Sequence, residues 1–228
     1  MLQTQHYVGL DLGQVSDYTA LVSLRREQEY PDPPQVKAVN SRQELEQLAV
    51  KEPPKALTPA RYYCNIAERF DRGTPYTTLV DNVGKLFSGS KFAGQALVVD
   101  GTGVGRPVVD LFRRAKLNCR LIPVTITGGA AQALGQVKID EWGYWHVHKK
   151  ELVGCVQVLL GTGRLEVAPG LRQASVLTHE LKNFSYKISN TAHVSLEAWR
   201  EQDHDDLVLA LALAAWAGEK ARQQLWVR

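Results

Sequence analysis

The segment Leu207 to Ala217 reads Leu-Val-Leu-Ala-Leu-Ala-Leu-Ala-Ala-Trp-Ala. These are helix-forming residues with apolar side chains nearly all round, and a helix without a polar face is stable only when it is surrounded. It is too short to span a bilayer. It must therefore be buried in a protein core, and its burial also fixes the place of whatever opens it. What opens it is His204-Asp205-Asp206. One Asp satisfies a helix cap, worth about 1 kcal/mol. Two beside a histidine exceed that need.

Two other acidic positions have a comparable setting. Tyr7-Val8-Gly9-Leu10-Asp11-Leu12-Gly13 and Ala96-Leu97-Val98-Val99-Asp100-Gly101-Thr102-Gly103 are apolar runs of buried-strand character, each ending on Asp close to Gly. A side chain at the carboxyl end of a central strand reaches a site instead of packing beneath it. The plain alternative is an Asp that ends a strand and starts a turn. Asp17 begins the next strand and either stabilises that turn or approaches the same site. Asp100 precedes Gly101-Thr102-Gly103-Val104-Gly105. A dinucleotide-binding turn needs G-x-G-x-x-G and an acidic ribose partner after the next strand, and this chain has neither. Gathered by folding, Asp11, Asp100 and Asp206 would form an oxygen-only set suited to Mg²⁺ or Mn²⁺, and paired ions of that kind cut phosphodiesters by in-line displacement. Asp206 is the preferred ligand, with Asp205 as cap or auxiliary ligand and the reverse assignment open. His204 is a further auxiliary.

Composition sets the frame for these residues. At 228 residues the chain can build a full core, read here as one domain over 1–228 with an insertion at about 28–59. A formal charge of +3 neither demands nor excludes nucleic acid. Cys64, Cys119 and Cys155 are an odd, widely spaced set, against a disulfide framework and against a thiolate zinc site. With no signal peptide at the amino terminus, a soluble cytoplasmic protein is expected. No P-loop is present. Arg113, Arg114, Lys116, Lys149, Lys150, Lys182 and Lys187 are candidate contacts to a phosphate backbone, set against the ordinary reading of solvated helix faces. His146 and His148 read as strand residues near the rim of the site.

Hydrophobic periodicity predicts strands at about 6–12 and 17–25 forming a hairpin, then a proline-rich excursion over 28–59 with a short helix at 41–51. A strand follows at 62–70 and a helix at 74–87. A strand at 95–99, an amphipathic helix at 106–116 and a strand at 118–124 have the order of a parallel βαβ unit. Further on come a short strand within 142–147, a helix at 149–160 ended by Gly161-Thr162-Gly163, and a strand at 165–167. A helix at 171–184, a strand near Tyr186, a loop over 189–203 and a last helix at 205–224 complete the chain.

Four blocks in this order carry a resemblance: Val8 to Gly13 with Asp17-Tyr18-Thr19-Ala20; Glu68-Arg69-Phe70 with Gly73-Thr74-Pro75-Tyr76; Val98 to Gly105; and His204-Asp205-Asp206-Leu207 before an alanine-rich helix. The set resembles the nuclease domain of the large terminase subunit of tailed bacteriophages, across nearly the whole chain. The resemblance implies an α/β, ribonuclease H-like fold with a mixed sheet of five or more strands, the first three antiparallel, flanked by helices. It implies a two-metal-ion endonuclease that cuts double-stranded DNA with little sequence specificity while phage genomes are packaged, with Asp11, Asp100 and Asp206 as the acidic triad and Asp205 alongside. Implied partners are double-stranded DNA, a packaging ATPase domain, the small terminase subunit and portal protein, with no membrane. The ATPase domain normal in the family is absent from this chain. Gly-Leu-Asp-Leu-Gly and a later Asp-Gly-Thr-Gly also resemble the phosphate loops of actin-like and sugar-kinase-like ATP-binding proteins, which pair two domains around the nucleotide. A non-catalytic packaging module is the third reading.

Overall fold

Alternating and continuous apolar runs make strands, and here they lie side by side in one sheet. The structure is a computed structural model that describes residues 1–13, 17–31, 56–103, 105–128, 137–190 and 205–221. Strands β1 (Leu2–Asp11), β2 (Thr19–Glu29) and β3 (Arg61–Phe70) form an antiparallel meander. From β1 the sheet continues in parallel through β4 (Ala96–Asp100), β5 (Arg120–Thr127) and, after a two-residue strand β6 (Lys138–Ile139), β7 (Trp145–His148). Strand β6 pairs antiparallel with β7, and β8 (Leu165–Val167) adds in parallel to β3. Among the described residues the order is β6-β7-β5-β4-β1-β2-β3-β8, an eight-stranded mixed sheet whose first three strands are antiparallel, as the resemblance implies.

The two faces of the sheet are covered separately. Val8, Leu10, Leu21, Leu97 and Val99 point to a layer made by α1 (Tyr76–Ser88) and α2 (Gly105–Ala115), which bury Leu79, Val83, Val108 and Phe112 against them. Tyr7, Ala20, Val22, Val98 and Val124 point to the other layer, made by α3 (Lys149–Gly161), α4 (Ala174–Asn190) and α5 (Asp206–Trp216). The innermost of these is α5. It packs on β1 and β2 beneath, with α3 and α4 against it, and every residue from Ala210 to Ala217 is fully buried, as its unbroken apolar sequence demands. Trp216 meets Trp145 edge-on with ring centroids 5.8 Å apart. Gly9 permits this packing: a Cβ there would lie 1.9 Å from the carbonyl oxygen of Ala210. A five-residue π-helical turn, Ala217–Ala221, follows α5, and Glu219 in it accepts from Tyr62 Oη at 2.8 Å and Arg164 Nη1 at 3.1 Å.

Several sequence expectations are corrected. The strand predicted near Tyr186 is the continuation of α4, which starts at Ala174 and runs through Ser189 to Asn190. The final helix keeps α-geometry only to Trp216, and 222–224 lie outside the described residues. Strands β1 and β2 are longer than predicted, so Gln28 and Glu29 belong to the sheet and not to the excursion. The helix expected at 41–51, most of the 28–59 insertion, and the loop beyond 190 fall outside the described residues. Among those described, no helix is long and apolar enough to cross a membrane.

Candidate functional site

Register builds the site. Asp11 ends β1 and Asp100 ends β4, and since Leu10 pairs with Val99 in parallel, the next step places the two residues side by side on neighbouring strands, about 4.8 Å apart at the backbone. On the other side, Asp11 pairs with Ala20 and Ala20 with Arg69. Paired residues share a face, so Asp100, Asp11, Ala20 and Arg69 form one row across four strands. That face is the one α5 covers, because Gly9, two residues before Asp11, lies against Ala210. Asp206 opens α5 one turn before Ala210, and it reaches the row through Arg69, whose Nη2 stands 3.5 Å from Asp206 Oδ2.

The start of α5 is held in an unusual way. Asp205 occupies the cap position, but its side chain makes no capping hydrogen bond. The N–H that a cap would satisfy, that of Val208, instead donates to Glu180 Oε2 at 3.1 Å, from α4. The other oxygen of Glu180 accepts from Arg69 Nη2 at 2.6 Å. Burial pushes the Glu180 carboxyl up to about 7; Arg69 and the Val208 N–H pull the other way, and Asp206 and Asp205 add to the rise. Arg69 also faces the ring of Tyr18 at 5.1 Å, with Arg72 over the same ring at 4.4 Å. Glu180, Arg69 and Tyr18 are not among the site residues that the sequence predicts. The signal that could have found Glu180 is helical spacing, since it follows buried Leu177 by three and precedes buried Leu181, on the inward stripe of α4.

The glycines after Asp100 serve the turn. Asp100 Oδ1 accepts from Thr102 N at 2.8 Å, Thr102 Oγ1 accepts from Ile126 N at 2.9 Å, and Gly103 takes φ +60°. A Cβ on Gly105 would stand 2.2 Å from the Asp100 carbonyl oxygen, so α2 starts directly against the end of β4. At Gly13 a Cβ would meet the Asp17 carbonyl oxygen at 2.4 Å.

The remaining predicted residues divide by position. Asp17 is exposed just before β2, at the same end of the sheet as Asp11. His204 lies outside the described residues. His146 and His148 are strand residues of β7, where His146 Nε2 pairs with Asp140 Oδ2 at 3.1 Å and His148 Nδ1 accepts from Lys150 N at 3.1 Å, capping α3. Lys149, buried, and Lys150, exposed, open α3 at the carboxyl end of β7, the same end of the sheet as Asp100, and Lys182 is exposed on α4 two residues beyond Glu180. Arg113 and Arg114 sit in the last turn of α2, on the opposite layer, roughly 12 Å along the helix from its start beside Asp100. Arg113 is engaged there, donating to the Trp142 carbonyl at 2.6 Å and lying 5.2 Å over Tyr144.

Among the described residues no three His, Cys, Asp or Glu side chains close around one point in a way that would hold a metal ion. The donor set nevertheless fits a hard divalent cation in kind, being carboxylate oxygens alone on one face of the sheet. Burial pushes the Cys64 thiol up to about 12 and the Cys119 thiol to about 11, which disfavours a thiolate at either.

No family model matches the chain, and no curated protein matches it significantly. Among solved structures it is similar in fold to the large terminase nuclease from thermophilic phage G20c, with TM-score 0.51 and 16% identity over 93% of this chain and 81% of that one. The same phage nuclease with bound magnesium superposes with TM-score 0.50, again at 16% identity over 93% and 81% of the two chains.

Proposed function

We propose that this chain is a divalent-cation-dependent nuclease that cuts double-stranded DNA with little sequence specificity, in the processing of phage genomes during packaging in the host cytoplasm. The observation that supports the reading is the position of Asp11 and Asp100 at the ends of adjacent parallel strands, on the sheet face that α5, opened by Asp206, covers. The likeness in fold to a phage terminase nuclease, one form of which holds magnesium, supports it.

In this reading Asp11, Asp100 and Asp206 would hold the cations, with Asp205 as an auxiliary ligand. A pair of Mg²⁺ or Mn²⁺ ions held there would supply charge neutralisation at the phosphate and a more acidic water. The protein's own residues do the rest. The carboxylates accept and orient water protons at the row, and α5, buried all round, keeps Asp206 from drifting. Lys150 and Lys182 grip phosphates without reading bases, which gives affinity without sequence preference. Hydrolysis by water leaves a 5′ phosphate and a 3′ hydroxyl and needs no protein nucleophile. A packaging ATPase domain, a small terminase subunit and portal protein are the partners this activity calls for.

The test is incubation of the purified protein with supercoiled plasmid. Nicking and linearisation with Mg²⁺ or Mn²⁺, abolished by chelator, are expected. Cutting that persists in chelator would overturn the reading. So would an intact plasmid with every metal, together with melting-temperature stabilisation by ATP and not by Mn²⁺, which would favour a nucleotide-binding protein.

A further inference from the structure

We infer that Glu180 is a positioning residue for the α5 carboxylates: reaching in from α4, it takes over the helix cap at Val208 and holds Arg69 beside Asp206. The inference rests on the cation-binding reading above and adds to it the group that sets the third carboxylate in place. A helix normally begins with a local side chain that accepts the third N–H, and Asp205 is a residue type well suited to do so. It makes no such bond here. Glu180 Oε2 receives that N–H at 3.1 Å, so the cap comes from another helix and not from Asp205.

The second oxygen of Glu180 binds Arg69 at 2.6 Å, and the same Arg69 nitrogen is 3.5 Å from Asp206. Arg69 belongs to the row that contains Asp11 and Asp100. One carboxylate therefore ties the end of β3, the middle of α4 and the first turn of α5 together. The side chains of Glu180, Arg69 and Asp206 are only 6%, 14% and 11% exposed. At such depth, removing one partner of a pair leaves an uncompensated charge and moves its neighbours, which a surface pair would not do. Without Glu180, the Arg69 charge beside Asp206 loses its counter-charge from α4 and competes there with a cation, and the first turn of α5 loses its cap.

The test measures Mn²⁺ binding without DNA, by calorimetric titration, together with amide hydrogen exchange at Val208. Glu180→Ala removes both contacts. Glu180→Gln keeps an acceptor for the Val208 N–H but loses the charge facing Arg69. Glu219→Gln, in the Tyr62 and Arg164 network beyond the other end of α5, is the control for general destabilisation. Glu180→Ala is expected to raise the Mn²⁺ dissociation constant at least tenfold and to speed Val208 exchange. Glu180→Gln is expected to raise the constant severalfold with Val208 still protected, and Glu219→Gln to leave both at the wild-type value. A wild-type Mn²⁺ constant in Glu180→Ala, or in Glu180→Gln should the alanine variant not fold, overturns the inference. If the wild-type protein takes up no Mn²⁺, the cation reading itself fails, and unchanged Val208 exchange in Glu180→Ala would then remove the cap as well.

Discussion

Ala20 is the smallest side chain in the row Asp100, Asp11, Ala20, Arg69, and it stands between Asp11 and Arg69 in that row. Charges placed this way make distinct demands on substitution. Asp100→Asn retains an acceptor for the Thr102 N–H, and Asp11→Asn changes charge without volume. Both variants should melt within a few degrees of the wild type while plasmid cutting falls more than about 100-fold; cutting near the wild-type rate in either would remove that residue from the site. His6 offers a residue-scale prediction away from the site. Its ring packs 5.0 Å from Phe92, and burial, with Lys91 and Arg25 nearby, lowers its pKa to about 4. A histidine whose folded pKa lies below the unfolded value, about 6.5, binds fewer protons when folded, so stability rises with pH across that interval. The protein should therefore lose stability as pH falls from about 6.5 toward 4. His6→Gln should flatten that part of the pH–stability curve measured by urea unfolding, whereas an unchanged slope would place His6 outside the effect.

At the scale of elements, α5 is the piece on which the site depends, and β1 accepts it only at a glycine. Gly9→Val puts carbon where the Ala210 carbonyl stands, and the helix must shift or the strand must bend. Overpacking against backbone should cost about 3 kcal/mol or more in denaturant unfolding; a loss below about 1 kcal/mol would mean that α5 does not press on β1 as described. Legibility in the sequence follows physical cause. Helix α5 could be read because no environment but a core suits an all-apolar helix of its length. Strands β1 and β4 could be read because a continuous apolar run that stops at Asp-Gly or Asp-Leu-Gly suits a buried strand and the turn after it. Strand β6 has two residues, too few for any period. Around Tyr186 the sequence Phe-Ser-Tyr-Lys-Ile alternates like a strand, yet α4 carries on through it, because five residues cannot override a helix already propagating. The inward position of Glu180 follows from helical spacing, but its partners do not, because they come from β3 and α5 and are remote in sequence.

Over the whole molecule, one mixed sheet separates two helical layers, and the carboxylates stand where its central parallel strands end. Asp11 and Asp100 come to that end of the sheet by register, and Asp206 lies at the start of the buried helix that covers the same face. The central claim is that these three carboxylates share divalent cations. Its most direct test is anomalous scattering from crystals of the protein grown with Mn²⁺. Manganese peaks are predicted about 2.1 Å from carboxylate oxygens of Asp11, Asp100 and Asp206. Peaks found only at surface residues elsewhere, with Arg69 still engaged at Asp206, would contradict the claim.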